Sequence, residues 1–276
     1  METSTTHTGQ TRPMPVVFVG HGSPMNAIED NPFRREWHAL GERLPRPRAV
    51  LCVSAHWETR GARVTGAGHP STIHDFHGFP QALFDAQYPA PGDPKLARHV
   101  VELLGGQKRA LVDATRGLDH GAWSVLRLMY LRADVPVVQL SIDTAQPGEY
   151  HYEFAKKLAP LRDEGVLVLG SGNIVHNLGL WDSRNPHPLD WAQRFDASVK
   201  RRISHREHID LVDWQRMGED ARLSIPTPEH YLPLLYVLAL QRDHDHVSFF
   251  NENVSSAIGM TSVVLDSGVA NASRAP

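Results

Sequence analysis

Two histidines directly follow apolar runs: His21, between two glycines in "VVFVGHGSPMNAIEDN" (16–31), and His56 in "AVLCVSAHW" (49–57). If both runs are strands, their ends deliver two imidazoles to one edge of a sheet. A third apolar run, "VLVLG" (166–170), leads into "SGNIVHNLGL". There Asn173 is read as a helix cap, with His176 about one turn inside. His230 lies in "IPTPEHYLPLLYVL", with Thr227 as cap, Pro228 at the first helical position and His230 in the first turn. A helix's positive end disfavours imidazolium, and metal coordination requires the neutral ring. Imidazole either binds metal or moves protons near neutral pH. One histidine at a strand end is more often a hydrogen-bonded structural residue; four such placements point jointly to a metal or proton-transfer site.

Two further contexts carry histidine. "RGLDHGAWSVL" sets His120 between Asp119 and Gly121, before a helical pattern starting near Ala122. Asp119 either orients and charges the ring or merely caps the turn. In "TIHDFHGFP", His74, Asp75 and His77 alternate with aromatics. Phe76 and Phe79 either form a stacking wall for a flat ring or fasten a surface loop to the core.

Other signals are weaker. Ser23 in "GHGSP" is outside the G-x-S-x-G pattern of a nucleophile elbow, and reads as orienting its loop. "GSGN" (170–173) lacks the third glycine of a dinucleotide fingerprint and any P-loop lysine. Gly20 and Gly22 fit a tight turn with positive φ. Cys52, mid-strand, reads as a small buried apolar residue. His7 and the cluster "DHDH" (243–246) read as solvated surface.

Elements that could position these residues alternate along the chain. Strands are expected at 15–20, 49–55, 109–114, 135–142, 166–170 and 260–266, several too uniformly apolar for a one-sided sheet. Helices fit 32–44, 92–105, 122–132, 149–163, 189–208 and 229–241. Asp93, Pro94 and Gly105 mark the ends of the second of these. The alternation predicts a three-layer α/β single domain. Its central sheet is mostly parallel or mixed and flanked by helices, with the metal site at the carboxyl edge of the strands. The catalytic domain is expected over 15–266, with a flexible N-terminal segment (1–14) and a C-terminal tail (267–276). The segment 66–92, rich in Gly, Pro and aromatics, is a long loop of the kind that usually carries function.

Composition narrows the partners. The chain has 276 residues, 41% hydrophobic and 21% charged, with a net charge of -3. This is ordinary globular usage with no basic field for nucleic acid. No stretch approaches the ~18 apolar residues of a membrane span. One cysteine cannot form an internal disulfide, and the polar start "METSTTHTGQTRP" lacks the apolar centre of a secretory signal. The expected partners are small molecules, with no nucleic acid and no membrane, in the cytoplasm. A homo-oligomer is left open, since no heptad or apolar stripe announces an interface.

Taken together, "GHGSPMNAIEDN", "SAHWET", "HDFHGFP", "DHGAWSVL", "GSGNIVHNL" and "PTPEHYLPLLYVL" resemble the class III extradiol ring-cleaving dioxygenases, in the DOPA 4,5-dioxygenase branch. The segments run in the family's order from about residue 16 to 265. The resemblance implies a mononuclear metal held by His21, His56 and His230. It implies His176 as the acid/base residue, and as a fourth ligand when zinc is bound. His120 would contact substrate or dioxygen. Ser23, Trp57, Phe76, Phe79 and Tyr231 are the expected substrate contacts. The wider class uses two histidines and a carboxylate, which makes Glu229 the rival to His230. Successive helical residues point about 100° apart, so both cannot easily serve one metal.

Three imidazoles on Fe(II), the expected active metal, leave room for a chelating catechol and for O2. Chelation lowers the phenol pKa and aligns the reactants. Zn(II) in the same site has no redox chemistry and should bind catechol without opening it. Two alternatives remain at this point. One is a zinc-dependent hydrolase of a small amide or ester, which would need no oxygen; the other is a non-enzymatic zinc- or catechol-binding protein.

Overall fold

The structure is a computed structural model and describes residues 12–268. The strands are β1 Val16–Gly20, β2 Ala49–Glu58, β3 Ala62–Thr65, β4 Ala110–Asp113, β5 Val137–Ile142, β6 Val166–Gly172, β7 His246–Phe250, β8 Val254–Ser255, β9 Ile258–Gly259 and β10 Ser262–Asp266. The helices are α1 Pro32–Arg43, α2 Gln81–Phe84, α3 Pro94–Leu103, α4 His120–Met129, α5 Gly148–Lys156, α6 Pro160–Asp163, α7 Asp190–Ser204, α8 His208–Val212, α9 Glu219–Ser224 and α10 Leu232–Leu238.

Eight strands form one sheet in the order β4-β3-β5-β2-β6-β1-β10-β7. Its centre is parallel: β5, β2, β6 and β1 run the same way, with Val16 opposite Val168 and Leu51 opposite Val168 on the other side. β10 and β7 add antiparallel strands at one side, so the sheet is mixed. Side chains alternate between faces along each strand. Val16, Phe18, Leu51 and Val168 enter one core with residues of α3, α5, α7 and α10. Val17, Val19, Val50, Cys52 and Leu169 enter a second core with α1 and α4. Burial on both faces explains the uniformly apolar strands and gives the expected three layers.

Several local expectations are corrected. The expected helix over 149–163 is divided into α5 and α6, the second starting at Pro160. The expected helix over 229–241 starts only at Leu232. A helix from 229 would need Pro233 to donate an N–H it does not have. Residues 173–180 form no helix; the Asn173 amide donates to Gly259 O instead of capping. Within "DHDH", Asp245 is buried and bonds Arg162 through both carboxylate oxygens, at 2.6 and 2.8 Å. Arg162 also donates to Met14 O, tying residue 14 into the fold. His7 and most of both expected tails lie outside the described residues. No helix among them is long and apolar enough to cross a membrane.

Candidate active site

β1, β6 and β2 lie side by side and end at the same edge of the sheet. His21 is the residue after β1, and its N–H continues the ladder to Gly172 O at 3.0 Å. Gly22 takes φ +56°, the left-handed turn that brings the chain off the strand. The turn is then held by amides: Asn26 donates to His21 O, Asn31 donates to Asn26, and Asn31 also caps α1. This accounts physically for much of "GHGSPMNAIEDN". His56 lies within β2, which runs further than expected. His230 sits in the turn before α10, and its carbonyl accepts the Asn173 N–H at 2.8 Å. A Cβ on Gly172 would lie 2.1 Å from that carbonyl, so the glycine of "GSGN" admits the His230 turn to the end of β6. It is not part of a phosphate cradle.

One ring nitrogen each of His21, His56 and His230 lies within 4.8 Å of the other two. The Nε2 atoms of His21 and His56 are 3.0 Å apart. The Ser171 hydroxyl donates to Gly121 O at 2.6 Å and so accepts from His21 Nδ1–H at 3.0 Å. This fixes the tautomer and leaves the His21 Nε2 lone pair facing His56. His230 Nδ1 is 3.0 Å from Glu229 Oε1, which leaves its Nε2 free in the same way. Burial, followed by repulsion from the neighbouring histidines, lowers the His21 and His56 pKa values well below the ordinary range. Neutral imidazoles with converging lone pairs suit a cation. Two nitrogens 3.0 Å apart, each ~2.1 Å from a shared metal, subtend about 90°, the angle between ligands on one face of an octahedron. The residues fit a mononuclear metal.

Two other groups share these histidines: His56 with Asp75 and His120, and His176 with Glu229 and His230. Glu229 is therefore beside His230 as a carboxylate partner of its ring, the arrangement that orients metal-bound histidines. His176 stacks on His230, with centroids 3.5 Å apart and planes 10° apart. Its position comes from its N–H to Ser224 O and a bridge to Ile258. Burial and the His230 ring push its pKa down to about 3. His120, first residue of α4, packs 3.9 Å from the His56 ring.

The carboxylate beside His120 is Asp75, not Asp119. Asp75 Oδ1 accepts the His120 backbone N–H at 2.9 Å, and Oδ2 lies 3.1 Å from Nδ1. Asp119 caps α4 and turns inward to Ser54 and Gln139. Sequence reasoning named Asp75 without this pairing, which spans 45 residues.

A cavity of about 530 Å³ opens over these histidines. Its lining includes His21, His56, His120, His176 and His230, together with Ser23, Phe76 and Phe79. Phe76 and Phe79 are also packed against the core, so the wall and the fastening are one device. Ser23 caps the Pro24–Ala27 turn. Trp57 and Tyr231 are not among the lining residues. Trp57 follows His56 in a strand and points to the opposite face, under Arg116. Tyr231 is buried in the other core and donates to Leu211 O. His74 is held to Ala86 O at 2.9 Å, away from the cavity, and His77 is exposed. The lining residues that sequence reasoning missed are chiefly Leu178, Trp181, Ile258 and Met260.

Residues 15–265 match the model of the catalytic LigB subunit of aromatic ring-opening dioxygenase. The chain belongs to the LigB family. It is similar to the 4,5-DOPA dioxygenase extradiol of Escherichia coli K12, 48% identical over 91% of this chain and 94% of the relative. The enzyme of the same name from Beta vulgaris is 39% identical over 79% and 83%. A solved structure of an uncharacterized Escherichia coli K12 protein superposes with a TM-score of 0.79 at 43% identity, covering 91% of this chain and 99% of that one. Membership makes the chain an aromatic ring-opening dioxygenase, and excludes the hydrolase and the purely structural metal protein as readings of the site.

Proposed function

We propose that this LigB-family enzyme opens a DOPA-like catechol by extradiol 4,5-cleavage, inserting both atoms of O2 to give a ring-opened semialdehyde. In this reading His21, His56 and His230 hold Fe(II), with Zn(II) able to occupy the same place. The observation that carries it is the convergence of three imidazoles, from three separate stretches of chain, at the floor of an aromatic-walled cavity. Fe(II), when bound, supplies a Lewis acid that acidifies the catechol and a redox centre that passes electrons from ring to O2.

The protein's own groups do the rest. His176 is neutral, with a lone pair ready to take a catechol hydroxyl proton and later return it to the leaving oxygen, a role worth ~10²–10⁴-fold. The growing negative charge on the catechol raises the proton affinity of this ring during the step. Asp75 holds His120 by its backbone N–H and sets its second oxygen 3.1 Å from the ring's Nδ1, which leaves Nε2 as the nitrogen that meets substrate or dioxygen. Phe76 and Phe79 cover the ring and keep bulk water from it. A cytoplasmic setting accords with the one cysteine, Cys52, being free and buried, and with a need for reduced iron.

The test is anaerobic loading with Fe(II), addition of L-DOPA, caffeate or protocatechuate, then admission of air. Oxygen uptake and a yellow semialdehyde are expected with iron and absent with zinc. No uptake with any catechol overturns the proposal.

A further inference from the structure

β8 and β9 form a hairpin with Val254 opposite Gly259 and Ser255 opposite Ile258. The ladder continues one step further, since the Met260 N–H donates to Asn253 O at 2.7 Å. Residues two apart on a strand, and residues directly opposite one another, share a face. Asn253, Ser255, Ile258 and Met260 therefore stand on one face of the hairpin, and all four line the cavity. Val254, on the other face, packs against the core. Residues 175–177 run antiparallel along β9. The Gly259 N–H donates to Val175 O at 2.9 Å, the Asn177 N–H donates to Ala257 O at 3.0 Å, and His176 is bridged to Ile258. His176 is thus on the same cavity-facing surface, and His176, Ile258 and Ser255 follow one another across it. Neighbouring strands lie about 4.8 Å apart, which sets His176 and Ser255 about 10 Å apart. Asn253 is exposed, so this face leads from the histidines to the mouth.

Ser23 and Asn26, also in the lining, are already engaged. The Ser23 hydroxyl accepts the Met25 N–H, and the Asn26 amide donates to His21 O and accepts from Asn31. The Asn253 amide and the Ser255 hydroxyl are the lining amide and hydroxyl left for a ligand among the described residues. A catechol whose hydroxyl gives its proton to His176 lays its ring beside Ile258. In L-DOPA the carboxylate is the third carbon of the side chain, and standard bond lengths put its oxygens about 8–9 Å from the hydroxyl para to that chain. A carboxylate bonded directly to the ring reaches only about 6 Å. We infer that Ser255 and Asn253 are specificity-determining residues, which hold by hydrogen bonds a carboxylate or amino-acid head at the third side-chain carbon while His176 meets the hydroxyl at the other end of the same face. The inference rests on the ring-opening reading above and specifies how its substrate is chosen. The Ser255 hydroxyl donates to a carboxylate, and the Asn253 amide can also accept from an ammonium. At the mouth the head keeps part of its water, so neutral partners suffice.

The experiment is a chain-length series: protocatechuate, 3,4-dihydroxyphenylacetate and 3-(3,4-dihydroxyphenyl)propionate, beside L-DOPA. Dissociation constants come from calorimetry on the zinc-loaded protein, which does not turn over, and kcat/KM from the Fe(II)-loaded enzyme. Both improve along the series, with the propionate and L-DOPA ahead of protocatechuate by at least about tenfold. Ser255→Ala and Asn253→Ala each cost the propionate and L-DOPA about threefold to tenfold, and cost protocatechuate less, so the series flattens. Protocatechuate bound as tightly as the propionate or L-DOPA, or variants that weaken all four compounds by one common factor, would overturn the inference. A graded series in binding that both variants flatten, without ring opening by the iron enzyme, would support the head-group site and sink the ring-opening reading. Ring opening without gradation would do the reverse.

Discussion

Gly172→Ala tests how the fold delivers its third imidazole. The new Cβ would sit 2.1 Å from His230 O, and such contacts essentially never fall below 3.0 Å, so 0.9 Å must be made. β6 is paired on both sides, to β1 and β2, and resists movement. The turn carrying His230 is held at this point by the 2.8 Å bond from the Asn173 N–H, and it is the part that gives. Metal–ligand distances tolerate only about 0.2 Å. A shift several times larger removes His230 from the set, and metal affinity is expected to fall at least ~10–100-fold. The clash itself costs about 1–3 kcal/mol, small beside a typical stability of about 5–15 kcal/mol, so the variant stays folded. Zinc titration by calorimetry, beside a circular-dichroism melt, measures both effects. A folded variant that binds metal within about twofold of the parent would refute the reasoning.

Three further outcomes follow from the same geometry. His176→Ala should keep its metal while losing ~10²–10⁴-fold in kcat, whereas His21→Ala should lose the metal, read by metal analysis after dialysis. The reverse pattern would overturn the two roles. Asp75→Ala should lower kcat more than it raises KM, because His120 loses its orienting partner, and Asp75→Glu should recover part of the loss. Equal effects of the two variants in steady-state assays would contradict that. His151 is buried with its pKa pushed down to about 4, by burial against the opposing pull of Asp143. The unfolded chain takes up that proton near pH 6.5 and the folded chain does not, so stability falls as pH drops from about 6.5 to about 4. The total is up to roughly 3 kcal/mol. Urea unfolding of metal-free protein against pH should show this slope, and His151→Gln should lower it by up to one proton; an unchanged slope would refute the assignment.

Where an apolar run passes directly into a histidine, the site could be read from local pattern. His21 and His56 are placed by the period of their strands and by the shared carboxyl edge of a parallel sheet. The helix expected around His176 failed because Asn173 serves a distant carbonyl, Gly259 O, which no local pattern reveals. By contrast, the late start of α10 was legible in Pro233, whose missing N–H forbids a helix beginning at 229. Strand alternation also excluded Trp57 from the face that carries His56. The short strands β3 and β7 escaped notice because β3 has four residues and β7 is only partly buried, leaving little apolar period. Asp75 was visible as a polar residue among aromatics, but its meeting with His120 is tertiary. So is the contribution of Leu178 and Trp181, which depends on where a loop without regular structure comes to rest.

Three overlapping groups of donors share His56 and His230, and His21, His56 and His230 are the one proposed to hold the metal. Anomalous diffraction at the metal edge from Fe(II)-loaded crystals kept under argon decides the matter. The prediction is a single peak about 2.0–2.2 Å from a ring nitrogen of each of His21, His56 and His230. A peak centred instead between His56, Asp75 and His120, or no shared peak within reach of His21, would contradict it.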